Sequence, residues 1–132
     1  MIESNASAKP LRTMLYVPAN KEDWIRKAPQ YGADAIILDL EDLVSLEQKP
    51  LAREIVSRVV PELASSGVTV VVRVNDLRTG MTGDDVSFAV NKGLYGISLP
   101  MTTGPEDVRE LDRLISRQED LKNILGHRVL ID

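Results

Sequence analysis

The stretch Ala35-Ile36-Ile37-Leu38-Asp39-Leu40-Glu41-Asp42 constrains the fold most, because an unbroken apolar run ends in three carboxylates within four positions. A short run without polar alternation is the pattern of a strand buried on both faces, as parallel strands in α/β proteins are. An ionised side chain there is costly unless it is paired, bound to a metal or placed at the solvent-facing end. The design recurs along the chain. Residues 68–74 form a β-branched run ending in Arg73, Asn75 and Asp76, and Gly96-Ile97-Ser98-Leu99 ends in Pro100. Residues 13–17 form a shorter run stopped by Pro18, and Arg128-Val129-Leu130-Ile131 begins a fifth strand.

Helical patterns lie between these runs. Asn20 is positioned as the N-cap of a helix through Trp24, Ile25 and Ala28 that ends at Pro29 and Gly32. A second helix is expected over 47–63, with Pro50 in its first turn, apolar positions at Leu51, Ile55, Val56, Val59 and Val60, and Pro61 blurring its end. After a loop over 75–83, Asp84 or Asp85 opens a third helix closed by Gly93, and Gly104-Pro105 starts a fourth carrying Val108, Leu111, Leu114 and Ile115. The β-α alternation implies right-handed crossovers and a parallel sheet, hence a doubly wound layer or part of a (β/α) barrel. The first residues read as a flexible leader over 1–11, and 12–132 as one domain.

Composition narrows the partners. With 132 residues and 43% hydrophobic content the chain can bury one sizeable core. A net charge of -4 and a pI near 5.0 argue against nucleic acid or an anionic membrane as partner. The absence of cysteine excludes a disulfide framework, a thiolate nucleophile and a Cys-based zinc site. A single His127 excludes a His-rich metal cluster, and its place before the last strand puts it at the amino end. No apolar run approaches the roughly 18 residues of a membrane span, and the expected location is the cytoplasm.

In both parallel architectures the site lies at the carboxyl ends of the strands. There Asp39, Glu41, Asp42, Arg73, Asn75 and Asp76 converge. Alternation places Asp39 and Glu41 on one side of their strand and Arg73 and Asn75 on one side of the next, so that Arg73 can pair with either acid. A guanidinium at a strand end suits bidentate capture of a substrate carboxylate; the competing reading is a structural ion pair at the sheet rim. Lys49 and Arg53, at helical spacing, read from the residues alone as exposed helix cations able to meet an anion. Trp24 reads as packing in the first helix, with pocket lining as the alternative, and the charge-rich segment 109–122 as the solvated face of the fourth helix.

Taken together, Arg12-Thr13-Met14-Leu15-Tyr16-Val17-Pro18-Ala19-Asn20, Gly32-Ala33-Asp34-Ala35 with Asp39-Leu40-Glu41-Asp42, Val72-Arg73-Val74-Asn75 and Ile97-Ser98-Leu99-Pro100 closely resemble the citrate lyase beta-subunit-like branch of the HpcH/HpaI aldolase family. The resemblance runs from Arg12 to the end of the chain. It implies a TIM barrel, present here as about its first half, and magnesium-dependent cleavage or formation of a carbon–carbon bond in acyl-CoA thioesters such as citryl-CoA or malyl-CoA. Carried over by residue, Arg73 holds the carboxylate of the oxo-acid half with Asn75 beside it. Glu41 and Asp42 line the metal site and, with Arg73, make up the catalytic group. Arg12, Lys49 and Arg53 face the CoA or phosphate side.

Two departures accompany it. Met101 stands where the family commonly has lysine, and the family's two direct metal-ligand carboxylates would lie beyond Asp132, leaving no direct metal ligand here. The expectation is therefore an incomplete, inactive portion of a lyase of EC 4.1.3 type that self-associates through its open edge. The rival readings are a class II aldolase acting on free 2-oxo acids and a non-catalytic binding or scaffold module.

Overall fold

The computed structural model describes residues 10–124 and 128–131, the last four by backbone alone. The expected leader over 1–11 falls largely outside them, as do His127 and Asp132. Five strands alternate with four α-helices: β1 Met14–Pro18, α1 Glu22–Lys27, β2 Ala35–Asp39, α2 Lys49–Ser65, β3 Val70–Arg73, α3 Thr82–Ala89, β4 Gly96–Leu99, α4 Pro105–Lys122 and β5 Arg128–Ile131. None of the described helices is long and apolar enough to cross a membrane.

Every strand pairs in parallel with its successor, in the order β1-β2-β3-β4-β5. That order decides between the two architectures. A doubly wound sheet reverses its strand order at a switch point, whereas a barrel sheet runs in sequence. Right-handed crossovers then place the helices on one side, where α2 packs on α3 and α3 on α4.

One set of alternating strand residues faces these helices. Val17, Ile36, Leu38, Leu40, Val70, Val72, Val74, Ile97 and Leu99 form a single core with Ile25 of α1, Ile55, Val56, Val59 and Val60 of α2, Val86 and Ala89 of α3, and Leu111 and Ile115 of α4. Leu111 and Ile115 are the buried side chains of α4, and each anchors it by about 1.5–3 kcal/mol. The other set, Tyr16, Ile37, Asp39, Val71, Arg73 and Ser98, faces the opposite side. The register aligns Pro18, Asp39, Arg73 and Ser98 in one row across four strands.

Several boundaries differ from expectation. Asn20 does not cap α1; a turn closed by Lys21 N–H on the Pro18 carbonyl (3.1 Å) absorbs Ala19 and Asn20, and Lys21 takes the N-cap without a side-chain bond. The helix is accordingly short, and a 3₁₀ turn over Ala28–Tyr31 follows before Gly32. Pro61 lies inside α2, which continues to Ser65, and a 3₁₀ turn over Leu46–Gln48 precedes that helix. The third helix starts at Thr82, whose hydroxyl donates to the Asn75 carbonyl (2.8 Å), so Asp85 lies within the first turn and points inward. Trp24 is 57% exposed; it lines a surface groove instead of packing in the core.

Candidate functional site

At the carboxyl end of β2, Asp39 is fully buried and receives four donors. Its Oδ1 accepts from Arg73 Nε (2.8 Å) and the Glu41 N–H (3.0 Å), and its Oδ2 from Arg73 Nη2 (2.8 Å) and the Leu43 N–H (2.9 Å). Burial alone would raise this carboxyl, but the Arg73 fork and the two backbone donors outweigh it and hold it below the ordinary aspartate value. The same hydrogen bonds raise Arg73 above the ordinary arginine value, against the opposing effect of burial.

Arg73 is further fixed from two directions. Its guanidinium lies over the Tyr16 ring, 4.8 Å from the centroid, an arrangement that stabilises a partly desolvated cation. Its Nε also stands 3.5 Å from Glu41 Oε1. Because Asp39 engages Nε and Nη2, the edge formed by Nη1 and the second hydrogen of Nη2 is the one that can meet an incoming carboxylate. Glu41 is half-buried and Asp42 exposed. Burial raises Glu41 above the ordinary glutamate value; Arg73 opposes this, and the neighbouring Asp42 carboxylate adds to it.

The other expected site residues are placed differently. Asn75 is buried at the end of β3, donating through Nδ2 to the Leu40 carbonyl (3.0 Å) and to Asp85 Oδ2 (2.7 Å). Lys49 is only 7% exposed and gives its ammonium to the carbonyls of Leu40 (2.7 Å) and Glu41 (2.8 Å). Its burial lowers it below the ordinary lysine value. Arg53 donates Nε to Asp85 Oδ1 (2.7 Å), and Asp85 also accepts the Asn75 N–H (2.8 Å). Lys49 and Arg53 are thus turned inward. Arg12 lies at the opposite, amino end of the sheet, where its N–H bonds Asp34 Oδ2 (2.8 Å) and its side chain is 79% exposed.

Met101 follows β4 with φ 58°, and its carbonyl accepts from Arg78 Nη2. Tyr16 and Asp85 are site residues that the sequence did not single out as such, Asp85 being expected only as a possible helix start. Alternation from Pro18 places Tyr16 on the site face, and Asp85 shares the buried face of Thr82, Val86 and Ala89, which are the signals that mark them. Among the described residues no group of three or more His, Cys, Asp or Glu is placed to hold a metal ion.

Comparison with known proteins agrees with this architecture. The HpcH/HpaI aldolase/citrate lyase family profile matches residues 12–128. The chain is 36% identical over 108 residues to citrate lyase subunit beta of Leuconostoc mesenteroides subsp. cremoris, covering 82% of this chain and 36% of that protein. It is 37% identical over 109 residues to (3S)-malyl-CoA thioesterase of Cereibacter sphaeroides, covering 82% and 38%. The structure of CitE from Mycobacterium tuberculosis in complex with magnesium, acetoacetate and coenzyme A superposes with a TM-score of 0.66 at 28% identity, covering 89% of this chain and 38% of that one. The chain thus spans well under half the length of these relatives, and its in-sequence parallel sheet is part of a TIM-barrel type fold. On profile, identity and fold together, the chain belongs to the HpcH/HpaI aldolase/citrate lyase family.

Proposed function

We propose that this chain supplies the carboxylate-binding part of a lyase site that makes or breaks a carbon–carbon bond in acyl-CoA thioesters of hydroxy acids, of citryl-CoA or malyl-CoA type. One observation carries the reading: Arg73 is locked by Asp39 and stacked on Tyr16 with one edge of its fork directed away from both bonds. A guanidinium held this way pre-orients a carboxylate without reorganising at the moment of reaction. Glu41 and Asp42 border the reacting centre and Asn75 holds the strand end beside it. Magnesium dependence belongs to the complete site. The role assigned to this chain's residues is binding and orienting the oxo-acid half. The chain alone is expected to show no turnover of citryl-CoA or malyl-CoA above the blank with magnesium present, and measurable turnover would overturn that statement.

The decisive experiment replaces the matching segment of the Leuconostoc citrate lyase subunit beta with residues 12–128 and compares Arg73 with Arg73→Lys. Lysine keeps a cation beside Asp39 but loses the fork. A drop in kcat/KM of about 10–100-fold, in a chimera that still melts well above the assay temperature, is expected from the loss of bidentate binding. Lost stability with undiminished turnover would favour a scaffold role instead. A second reading, aldol chemistry on free 2-oxo acids, draws on the placement of Arg12, Lys49 and Arg53: Arg12 lies at the amino end of the sheet, and Lys49 and Arg53 are engaged by the Leu40 and Glu41 carbonyls and by Asp85. Turnover of a free 4-hydroxy-2-oxo acid by the same chimera, without thioester activity, would decide for it. A cytoplasmic location and a homo-oligomeric state complete the proposal.

A further inference from the structure

At the end of the β2–β3 ladder the backbone pattern breaks in a specific way. The Leu40 N–H donates to the Arg73 carbonyl (2.9 Å), as a parallel ladder requires. The next bond of that ladder would run from the Asn75 N–H to the Leu40 carbonyl. Instead the Asn75 N–H is taken by Asp85 Oδ2 (2.8 Å), and the Leu40 carbonyl is taken by Asn75 Nδ2 (3.0 Å) and Lys49 Nζ (2.7 Å). Side chains from α2 and α3 have replaced a sheet hydrogen bond, so the path of the chain beyond Leu40 is dictated by them.

We propose that Lys49 is a positioning residue whose buried ammonium, seated on the Leu40 and Glu41 carbonyls, sets the course of the turn that presents Glu41 and Asp42. Two features support this. An ammonium at 7% exposure is costly to desolvate, and the hydrogen-bond partners found for it are backbone carbonyls. A group retained only for packing would not need the charge. Glu41 is also clamped from both sides: its N–H donates to Asp39 Oδ1 (3.0 Å) and its carbonyl accepts from Lys49 (2.8 Å). Both peptide planes that flank its Cα are thereby fixed, and the carboxylate is delivered to within 3.5 Å of Arg73 Nε. The Arg53–Asp85–Asn75 set anchors the preceding carbonyl, that of Leu40, through Asn75 Nδ2 (3.0 Å). The functional weight of this device rests on the reading of Glu41 and Asp42 given above.

The test is residue-resolved amide exchange by NMR on the chain itself, comparing the wild type with Lys49→Met and Lys49→Arg. In K49M the Leu43 and Val44 amides, which bond Asp39 and the Glu41 carbonyl, should exchange at least 10-fold faster, while the amides of β3 keep their protection. The Arg73 Nε–H resonance should shift as Glu41 moves, and K49R should restore part of both effects. Equal acceleration in the turn and in β3, or no change in either, would overturn the proposal. Should K49M not fold, Lys49→Gln, with an amide able to serve one of the two carbonyls, gives the same comparison. Pyruvate added to the wild-type chain and followed at Arg73 Nε–H tests the functional reading separately. A silent resonance there would count against that reading and leave the Lys49 result standing.

Discussion

Asp39 and Arg73 are each other's condition for being where they are. Asp39 has no exposed surface and Arg73 little, so either charge alone would be stranded in a low-dielectric setting. Breaking a buried pair by removing one partner costs about 3–5 kcal/mol, much of it from the charge left behind. Arg73→Ala should therefore lower unfolding free energy by that order in urea titration, and Arg73→Lys by distinctly less. Acid dependence separates Asp39 from Glu41 because their shifts have opposite signs. Asp39 is depressed, so its contribution is present above the ordinary aspartate value of about 3.9 and is lost as pH falls through the lower folded value. Glu41 is raised mainly by burial, so its contribution is present below the ordinary glutamate value of about 4.3 and fades as pH climbs through the higher folded value. Urea midpoints followed across pH should fall on the acid side, and Asp39→Asn should flatten that limb; an unchanged limb in the variant would remove Asp39 as its cause.

The contact between α2 and the turn before β4 depends on a glycine. Gly93 has φ 90°, and a Cβ there would lie 2.3 Å from Ala64 Cβ. Gly67 also has positive φ, 86°, but with nothing within 4 Å. Gly67→Ala should cost only the left-handed backbone, about 1–2 kcal/mol, whereas Gly93→Ala carries the same cost plus the steric one and should melt measurably lower. Equal melting temperatures would show that the turn yields freely. The elements themselves were legible in the residues, because unbroken apolar runs and a 3.6 period leave little choice for the five strands, α2 and α4. Helix starts were less so: Asn20 and Asp84 have capping chemistry, yet the Pro18–Lys21 turn and the Thr82 hydroxyl decide the matter through contacts with other parts of the chain. Convergence of Asp39, Glu41 and Arg73 could be read from alternation. The inward turn of Lys49 was readable in part, since it heads the buried stripe of Ala52, Val56, Val59 and Leu63. That its ammonium would replace a ladder bond was not, because the diversion depends on Asp85 reaching back across the sheet end.

For the whole molecule, the strand order settles what sequence left open between two architectures, and it also leaves an edge. Among the described residues β1 pairs on one side with β2 and carries no strand on the other. Beside that edge lies a groove of about 330 Å³ lined by Leu15, Tyr16, Val17, Pro18, Trp24, Lys27, Ala28 and Tyr31. Met14, Trp24 and Tyr31 are 42%, 57% and 75% exposed. An open edge flanked by exposed apolar side chains is a template for pairing with another chain. Sedimentation velocity should accordingly show mass rising above the 14.6 kDa monomer with concentration. The emission of Trp24, the chain's one tryptophan, should shift to the blue as the groove is covered. Met14→Lys places a charge on the edge strand, outside both the core and the Arg73 cluster, and edge charges oppose strand addition. It should move the equilibrium back toward monomer while leaving the melting temperature of dilute protein unchanged. A single monomeric species at every concentration, or assembly indifferent to Met14→Lys, would rule out the β1 edge as the surface of association.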